Sequence, residues 1–395
     1  MHIGGKIKNL PNSTVEKVIA SLHSLACNLG PMQTSRSTRF SEKQIINAKK
    51  YYLSENNLRR AIVQIVNLYN KLNITNYWGD GSSVSADGRL IKMVDKNLLA
   101  AWNVKYHSIG GMLYTHVSDK YIAIYSQFIN CGVYEAEYLL DALFDQNNDI
   151  DIKPTKVHAD THGQTELMFA FCYLLGIRLM PRIRNMGRSQ LYKPSFSYNY
   201  GHIDRIFKHA INWSKIYAAY YDLLRICASI RYGKVKSSLI FKKITSTRKL
   251  NKIYEGFMEL GRVIRTIYIL EYASSKELRR IVQLGCNKSE MWHNLQKFVY
   301  FGQSGEMRTN DPEEQNATTT ALELVADLIV YENAKMIAET VDKLKNAGEK
   351  IKYRDIKYIT PFITSHINRY GRFEFDLEIR KVKGNEQKNR EPNGK

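Results

Sequence analysis

Apolar residues recur at three- and four-residue steps near the start of the chain. Val15, Val18, Ile19, Leu22 and Leu25 form one such set, and Ile62, Ile65, Val66, Tyr69 and Leu72 form another. That spacing marks one face of a helix, so residues 12–75 read as helices. Between the two sets, Ser41 stands just ahead of Glu42 and Lys43 and is placed to cap a further helix. The pattern then changes. Residues 83–94, 106–117 and 121–131 are rich in β-branched and aromatic residues and are separated by turn signals, which predicts a three-stranded antiparallel meander. Residues 135–144 place Ala136, Leu139, Leu140 and Leu143 on one face and predict an amphipathic helix. Residues 154–159 read as a short strand, 165–175 as an apolar helix and 177–183 as another short strand.

The order strand, strand, strand, helix, strand, helix, strand predicts an α/β fold: a ribonuclease-H-like mixed sheet with flanking helices and a helical insertion. In that architecture the first and fourth strands lie side by side. Residues 186–280 interrupt it; they are mostly helical by spacing, and Tyr192, Tyr198, Tyr200, Trp213, Tyr217, Tyr220 and Tyr221 read as helix core rather than as platforms for stacked bases. The expected organisation is a helical N-terminal segment (1–75), the first part of the core (76–185), a basic helical insertion (186–280), completion of the core (281–345), and a C-terminal segment (346–395) whose polar end is expected to be disordered. A long helix is expected around residues 322–336.

Charge sharpens this picture. The chain has 395 residues and a formal net charge of +20. Between Arg178 and Lys252 there are 17 Lys/Arg and two acids, Asp204 and Asp222, so 75 residues carry +15. A run this long and this poor in acids predicts a polyanion-binding surface. Five scattered cysteines, none in a Cys-x-x-Cys, read as buried free thiols rather than a disulfide framework or a zinc ribbon. No apolar run approaches the roughly 20 residues of a membrane span. The start of the chain lacks the apolar core of a signal peptide, which predicts a cytoplasmic protein with no membrane partner.

Three acids stand out: Asp87 in Ser-Ala-Asp-Gly, Asp160 in His-Ala-Asp-Thr-His-Gly, and Glu290 in Asn-Lys-Ser-Glu. Each has an ordinary use. An Asp before Gly is a common turn residue, Asp160 is placed to cap the helix after it, and residues 287–290 have the spacing of a capping box. Asp80, Asp119, Asp141 and Glu166 compete for the first two positions, and Glu306, Glu313 and Glu314 compete with Glu290. Taken together, the three fall in elements that an α/β sheet gathers at one edge. Converging carboxylates are what two Mg2+ ions about 3.5–4 Å apart require to offset their mutual repulsion, and such pairs serve phosphodiester chemistry.

Motifs along the chain resemble those of Tn3-family transposases, in their catalytic C-terminal region. Leu25-Ala-Cys-Asn-Leu-Gly30 is similar to the helix ahead of the catalytic domain. Trp78-Gly-Asp-Gly81 with Ser85-Ala-Asp-Gly88 is similar to the first catalytic block, and Val117-Ser-Asp-Lys-Tyr121 to Val-Ser-Asp-Gln-Tyr. Asp160-Thr-His-Gly163 resembles Asp-Thr-x-Gly, and Leu174-Leu-Gly176 with Pro181-Arg-Ile-Arg184 resembles the block that follows. Asn287-Lys-Ser-Glu290, Phe301-Gly-Gln-Ser-Gly-Glu306 and His366-Ile-Asn368 resemble the last three motifs, so the resemblance spans residues 25–373. Departures are Ser289 for Gly, Met291-Trp292 for Ala-Arg, and Tyr331-Glu332-Asn333 where the family often shows Trp-Asn-Thr.

The resemblance implies a DDE-type DNA transposase with Asp87, Asp160 and Glu290 as catalytic residues and ligands of two Mg2+ ions, Mn2+ being a substitute. It implies cleavage at transposon 3′ ends followed by strand transfer into target DNA. Double-stranded DNA is the implied partner, with Arg182, Arg184, Arg188 and Lys193 as contacts, and a homodimer holding paired ends. Family members are more than twice as long, and their N-terminal part recognises the transposon ends. A separate N-terminal half is therefore a further expected partner. The competing readings are an inactive DNA-binding remnant, a stand-alone nuclease of similar fold, and a basic structural protein.

Overall fold

The computed structural model describes residues 10–94, 97, 100–103, 107–133, 135–145, 149–160, 163–246 and 251–375. The polar C-terminal end expected to be disordered lies outside the described residues, as do Thr161 and His162 of the Asp160 motif. Four helices open the chain: α1 (Asn12–Ala26), α2 (Gly30–Ser37), α3 (Glu42–Tyr52) and α4 (Glu55–Asn70). Ser41 caps α3 as its position predicts. Its hydroxyl accepts from the Gln44 N–H, while the Gln44 side chain accepts from the Ser41 N–H.

The strands of the core are β1 (Ser83–Met93), β2 (Ala101–Asn103), β3 (Ser108–Ser118), β4 (Ala123–Asn130), β5 (Lys156–Ala159) and β6 (Arg178–Pro181). Helix α5 (Glu166–Leu174) joins the last two and is capped by the Thr165 hydroxyl. The sheet is mixed. β3 runs antiparallel to β1, to β2 and to β4, whereas β5 lies parallel to both β1 and β6. The first and fourth expected strands, β1 and β5, are therefore neighbours.

The helix expected over residues 135–144 is absent. Glu135–Tyr138 forms one 3-10 turn, and turns follow. Leu139 N–H bonds to the Ala136 carbonyl and Asp141 N–H to the Tyr138 carbonyl, both three residues back. The Leu139 carbonyl lies 3.0 Å from His116 Nε2. A carbonyl occupied from across the sheet is not free for an α-helical ladder, and the apolar side chains are buried without one.

The insertion is only partly helical. β7 (Leu191–Lys193) and β8 (Phe207–Ala210) form a two-stranded parallel sheet of their own. Then come α6 (Trp213–Arg231), α7 (Ser237–Ser246) and α8 (Lys252–Ser274). α8 packs between α6 and α5, where Phe171 of α5 stacks on Phe257 at 4.1 Å and meets Phe241 at 4.5 Å. Gly261 is what lets α8 approach: a Cβ there would stand 1.8 Å from the Glu166 carbonyl oxygen. The chain continues through α9 (Lys276–Val299), the short β9 (Glu306–Met307), α10 (Pro312–Asn346) and α11 (Tyr353–Lys357). β9 pairs with the far end of β1, and α10 crosses α4, α1 and β4. No helix among the described residues is long and apolar enough to cross a membrane.

The aromatic residues of the insertion correct the expectation made for them. α6 buries Ile216, Ala219, Leu223, Cys227 and Ile230 and turns Trp213, Tyr217, Tyr220 and Tyr221 outward. Tyr217 is 73% and Tyr221 80% exposed, so these rings are surface and not core. All five cysteines are free thiols, with Cys27, Cys172 and Cys227 buried.

Candidate active site

Asp87 lies within β1, not in a turn, and Asp160 is the residue after β5. The parallel register pairs Ser85 with His158 and Ala86 with Ala159, so the next step sets Asp87 beside Asp160. Strands in register place equivalent side chains on one face, with backbones about 4.8 Å apart. Asp160 does not cap α5, because Thr165 does. Residues 287–290 do not form a capping box either. They lie inside α9, which begins at Lys276 and is capped by the Ser275 hydroxyl.

α9 crosses β1, β3 and β5. Its polar side chains Gln283, Cys286, Asn287, Glu290, His293 and Lys297 recur at three- and four-residue steps, and all six wall one cleft of about 530 Å3. Asp87, Asp160, Arg89, Lys92 and Arg182 wall it from the sheet side. The three expected acids thus line a single cavity. They are not drawn into a coordinating cluster, since no three His, Cys, Asp or Glu side chains among the described residues stand close enough to hold an ion. Asp87 Oδ1 accepts the Gly88 N–H at 2.9 Å, and its Oδ2 lies 3.8 Å from His293 Nδ1. Burial pushes the Cys286 thiol up to about 11, and the charges of Asp87 and Asp160 push it the same way.

Two features on the sheet side of α9 set its distance from the strands. Gly285 faces His158, and a Cβ at that position would lie 2.7 Å from His158 Cγ. Lys288 donates to the Asp119 carbonyl and stands 4.2 Å from the centre of the Tyr121 ring, while burial pushes its ammonium down to about 8. The departures from the family motif fall here as well. Ser289 and Trp292 are fully buried, and Trp292 meets Phe362 edge-on at 5.9 Å. Asn333 donates to the carbonyls of Pro361 and Ile363 and fastens the C-terminal segment to α10.

The competing acids are engaged in other places. Asp119 accepts the Gly81 N–H at 3.0 Å. Asp141 is buried and accepts from the hydroxyls of Ser237 and Ser238 and from the Ser238 N–H. Glu166 pairs with Arg265 at 3.2 Å, and Glu314 with Lys49. None of these four lines the cleft.

Of the expected DNA contacts, Arg182, Arg184 and Arg188 are exposed and form no ion pair among the described residues. Lys193 is different. It is 6% exposed, and its ammonium is taken up by the Asp204 carboxylate at 2.7 Å and the Tyr198 carbonyl at 3.1 Å. A buried ammonium needs such partners, so Lys193 holds its own loop instead of facing solvent. Arg89, His293 and Lys297 are lining residues that the motifs did not single out. The polar stripe along α9 was the available signal for the last two.

The family model described as "Tn3 transposase DDE domain" matches residues 2–373. The transposase for transposon Tn1546 of Enterococcus faecium is 30% identical over 363 residues, covering 91% of this chain and 36% of that protein. The transposase for Tn501 of Pseudomonas aeruginosa is 31% identical over 349 residues, covering 88% and 35%. The transposase for transposon gamma-delta of Escherichia coli (strain K12) is 27% identical over 369 residues, covering 92% and 37%. The chain spans about a third of the length of these relatives, matching their C-terminal part. Since the match runs through the sheet, the insertion and the helix that closes the cleft, the chain belongs to the Tn3 transposase DDE domain family.

Proposed function

We propose that this chain is the catalytic part of a DNA transposase with a ribonuclease-H-like core, and that Asp87, Asp160 and Glu290 are its catalytic acids. One observation carries the proposal. The β1–β5 register sets Asp87 beside Asp160, and Glu290 faces the same cleft from α9. The donor set fits a hard divalent cation, because its oxygens are carboxylates at the rim of a solvent-open cleft. The three acids would hold two Mg2+ ions, with Mn2+ as a substitute, and such ions when bound supply charge compensation and activation of an attacking hydroxyl.

The remaining roles belong to the protein's own groups. Arg182, at the cleft wall, would meet a backbone phosphate, and Arg184 and Arg188 would extend that contact along the strand. Phosphate contacts of this kind supply affinity without reading sequence. The reaction is cleavage at transposon 3′ ends and joining of the freed 3′-hydroxyls to target DNA. A homodimer would hold the paired ends, and an N-terminal part, on the same or a separate chain, would recognise them.

The test is Asp160→Asn assayed with end-labelled duplex and Mg2+. Cleavage and strand transfer should be abolished while DNA binding persists. Retained cleavage would remove Asp160 from the site. Cleavage by the wild type without transfer of a free 3′-hydroxyl end would make the protein a nuclease, and binding alone would make it a DNA-binding remnant.

A further inference from the structure

Arg89 has an environment that packing alone does not explain. The residue is 8% exposed, and its Nε and Nη1 are fully enclosed with no hydrogen-bond partner among the described residues. It forms no ion pair among the described residues. Its electrostatic neighbour is Tyr300, whose hydroxyl is likewise enclosed without a hydrogen-bond partner. A buried guanidinium without a carboxylate is strongly unfavourable, and an apolar side chain of similar length would fill the same space at less cost. Arg89 lies two residues from Asp87 on β1, hence on the same face of the sheet. It lines the same cleft, together with Lys92, Arg182 and Lys297.

We propose that Arg89 is an anion-receiving residue of the carboxylate cleft, poised to take a phosphodiester oxygen of a DNA strand lying across Asp87. The proposal rests on the functional reading above and assigns it a contact which that reading does not contain. A guanidinium suits the task because its charge is spread over a rigid plane: Nε and Nη1 are enclosed, and Nη2 is the nitrogen left to the cleft and to a phosphate oxygen. Enclosure also holds that plane in place before the strand arrives. The missing counter-charge is then supplied by the substrate, which accounts for a cation kept in the cleft with no carboxylate among its electrostatic neighbours.

The experiment compares wild type, Arg89→Met and Arg89→Lys. Binding to a 30-base-pair duplex is measured by fluorescence anisotropy in Ca2+ across a salt series, and each free protein is melted. Arg89→Met should bind the duplex on the order of tenfold more weakly. It should lower the slope of log affinity against log salt by about one, and it should melt no earlier than wild type. Arg89→Lys, which keeps the charge and loses the plane, should recover the salt slope and only part of the affinity. Wild-type affinity and slope in Arg89→Met would overturn the proposal, as would a lowered melting temperature with unchanged binding. A thermal response to inorganic phosphate as large as that to duplex, at equal phosphate concentration, would reassign the site to a free anion and also overturn it. Failure of the wild type to bind duplex would count against the functional reading as a whole, whereas an unaffected Arg89→Met would count against this residue alone.

Discussion

Gly285 offers a way to move the third acid without touching it. Its missing Cβ is what allows α9 to lie against β5, since the nearest atoms to a methyl there are His158 Cγ at 2.7 Å, Cδ2 at 2.8 Å and Cβ at 3.0 Å. Cβ stays in place in every rotamer, and His158 is buried, so the packing around it leaves its ring no room to swing aside. Ordinary contact begins near 3.4 Å, so Gly285→Ala requires α9 and β5 to separate by about 0.7 Å. Glycine to alanine inside a helix normally gains about 1 kcal/mol. Overpacking costs about 1–3 kcal/mol. The net is a loss of up to about 2 kcal/mol, which leaves the protein folded and lowers its melting temperature by a few degrees. Glu290 lies five residues further along the same helix, so the separation carries into the cleft. A displacement approaching 1 Å costs up to about 100-fold in rate. Single-turnover cleavage of duplex in Mg2+ should accordingly fall by about 10- to 100-fold, more than the change in stability accounts for. His158→Ala in the Gly285→Ala background should restore both melting temperature and rate relative to the single alanine variant. A Gly285→Ala protein as active as wild type, or a double variant no better than Gly285→Ala, would refute the argument that this contact positions Glu290.

Two further predictions concern stability. Burial pushes the carboxyl of Glu323 on α10 up from an ordinary 4.5 to about 7, and its neighbour Asp327 is pushed up as well. An acid raised in this way holds its proton longer when folded than when unfolded, so its contribution is intact below about 4.5 and is lost as pH climbs through about 7. Glu323→Gln should therefore stabilise the protein more at pH 8 than at pH 4.5 in urea denaturation; equal effects at both pH values would contradict this. Asp141→Ala removes the acceptor of two hydroxyls and one N–H at the start of α7, and should cost about 2–4 kcal/mol and loosen that helix in hydrogen exchange. A variant within 0.5 kcal/mol of wild type would show that α7 is held by its apolar face alone.

The strands and their order were legible because each is a short apolar run bounded by turn residues, and β1, β3, β4, β5 and β6 form close to where alternation and punctuation put them. That β1 and β5 lie side by side followed from the order; their parallel register, which sets Asp87 beside Asp160, is seen in the fold. The missing helix over residues 135–144 was not legible, because its periodicity is real and the contacts that go with the turns come from far along the chain, His116 at the Leu139 carbonyl and Ser237 and Ser238 at Asp141. The outward aromatics of α6 were hidden for a related reason. That helix is apolar on two faces, and sequence does not say which one meets α8. Lys193 belonged by position to a basic run. Only the folded loop, which returns Asp204 to it, makes the residue structural.

The Asn287 to Glu290 motif illustrates how a short signature can combine two kinds of residue. Asn287 and Glu290 line the cleft, whereas Lys288 and Ser289 point away from it. Lys288 ties α9 to the turn between β3 and β4 through the Asp119 carbonyl and the face of Tyr121. Asp119 and Tyr121 themselves belong to the Val117-Ser-Asp-Lys-Tyr121 motif, so two motifs far apart in the chain meet as one contact. Ser289 and Trp292 are fully buried on the same helix, Trp292 against Phe362. α9 itself is held against the sheet through Gly285 and Lys288, both on the face opposite the polar stripe. The same reasoning separates the acids from their competitors. Asp119 and Asp141 accept from donors that fix where elements sit, whereas Asp87, Asp160 and Glu290 line the cleft.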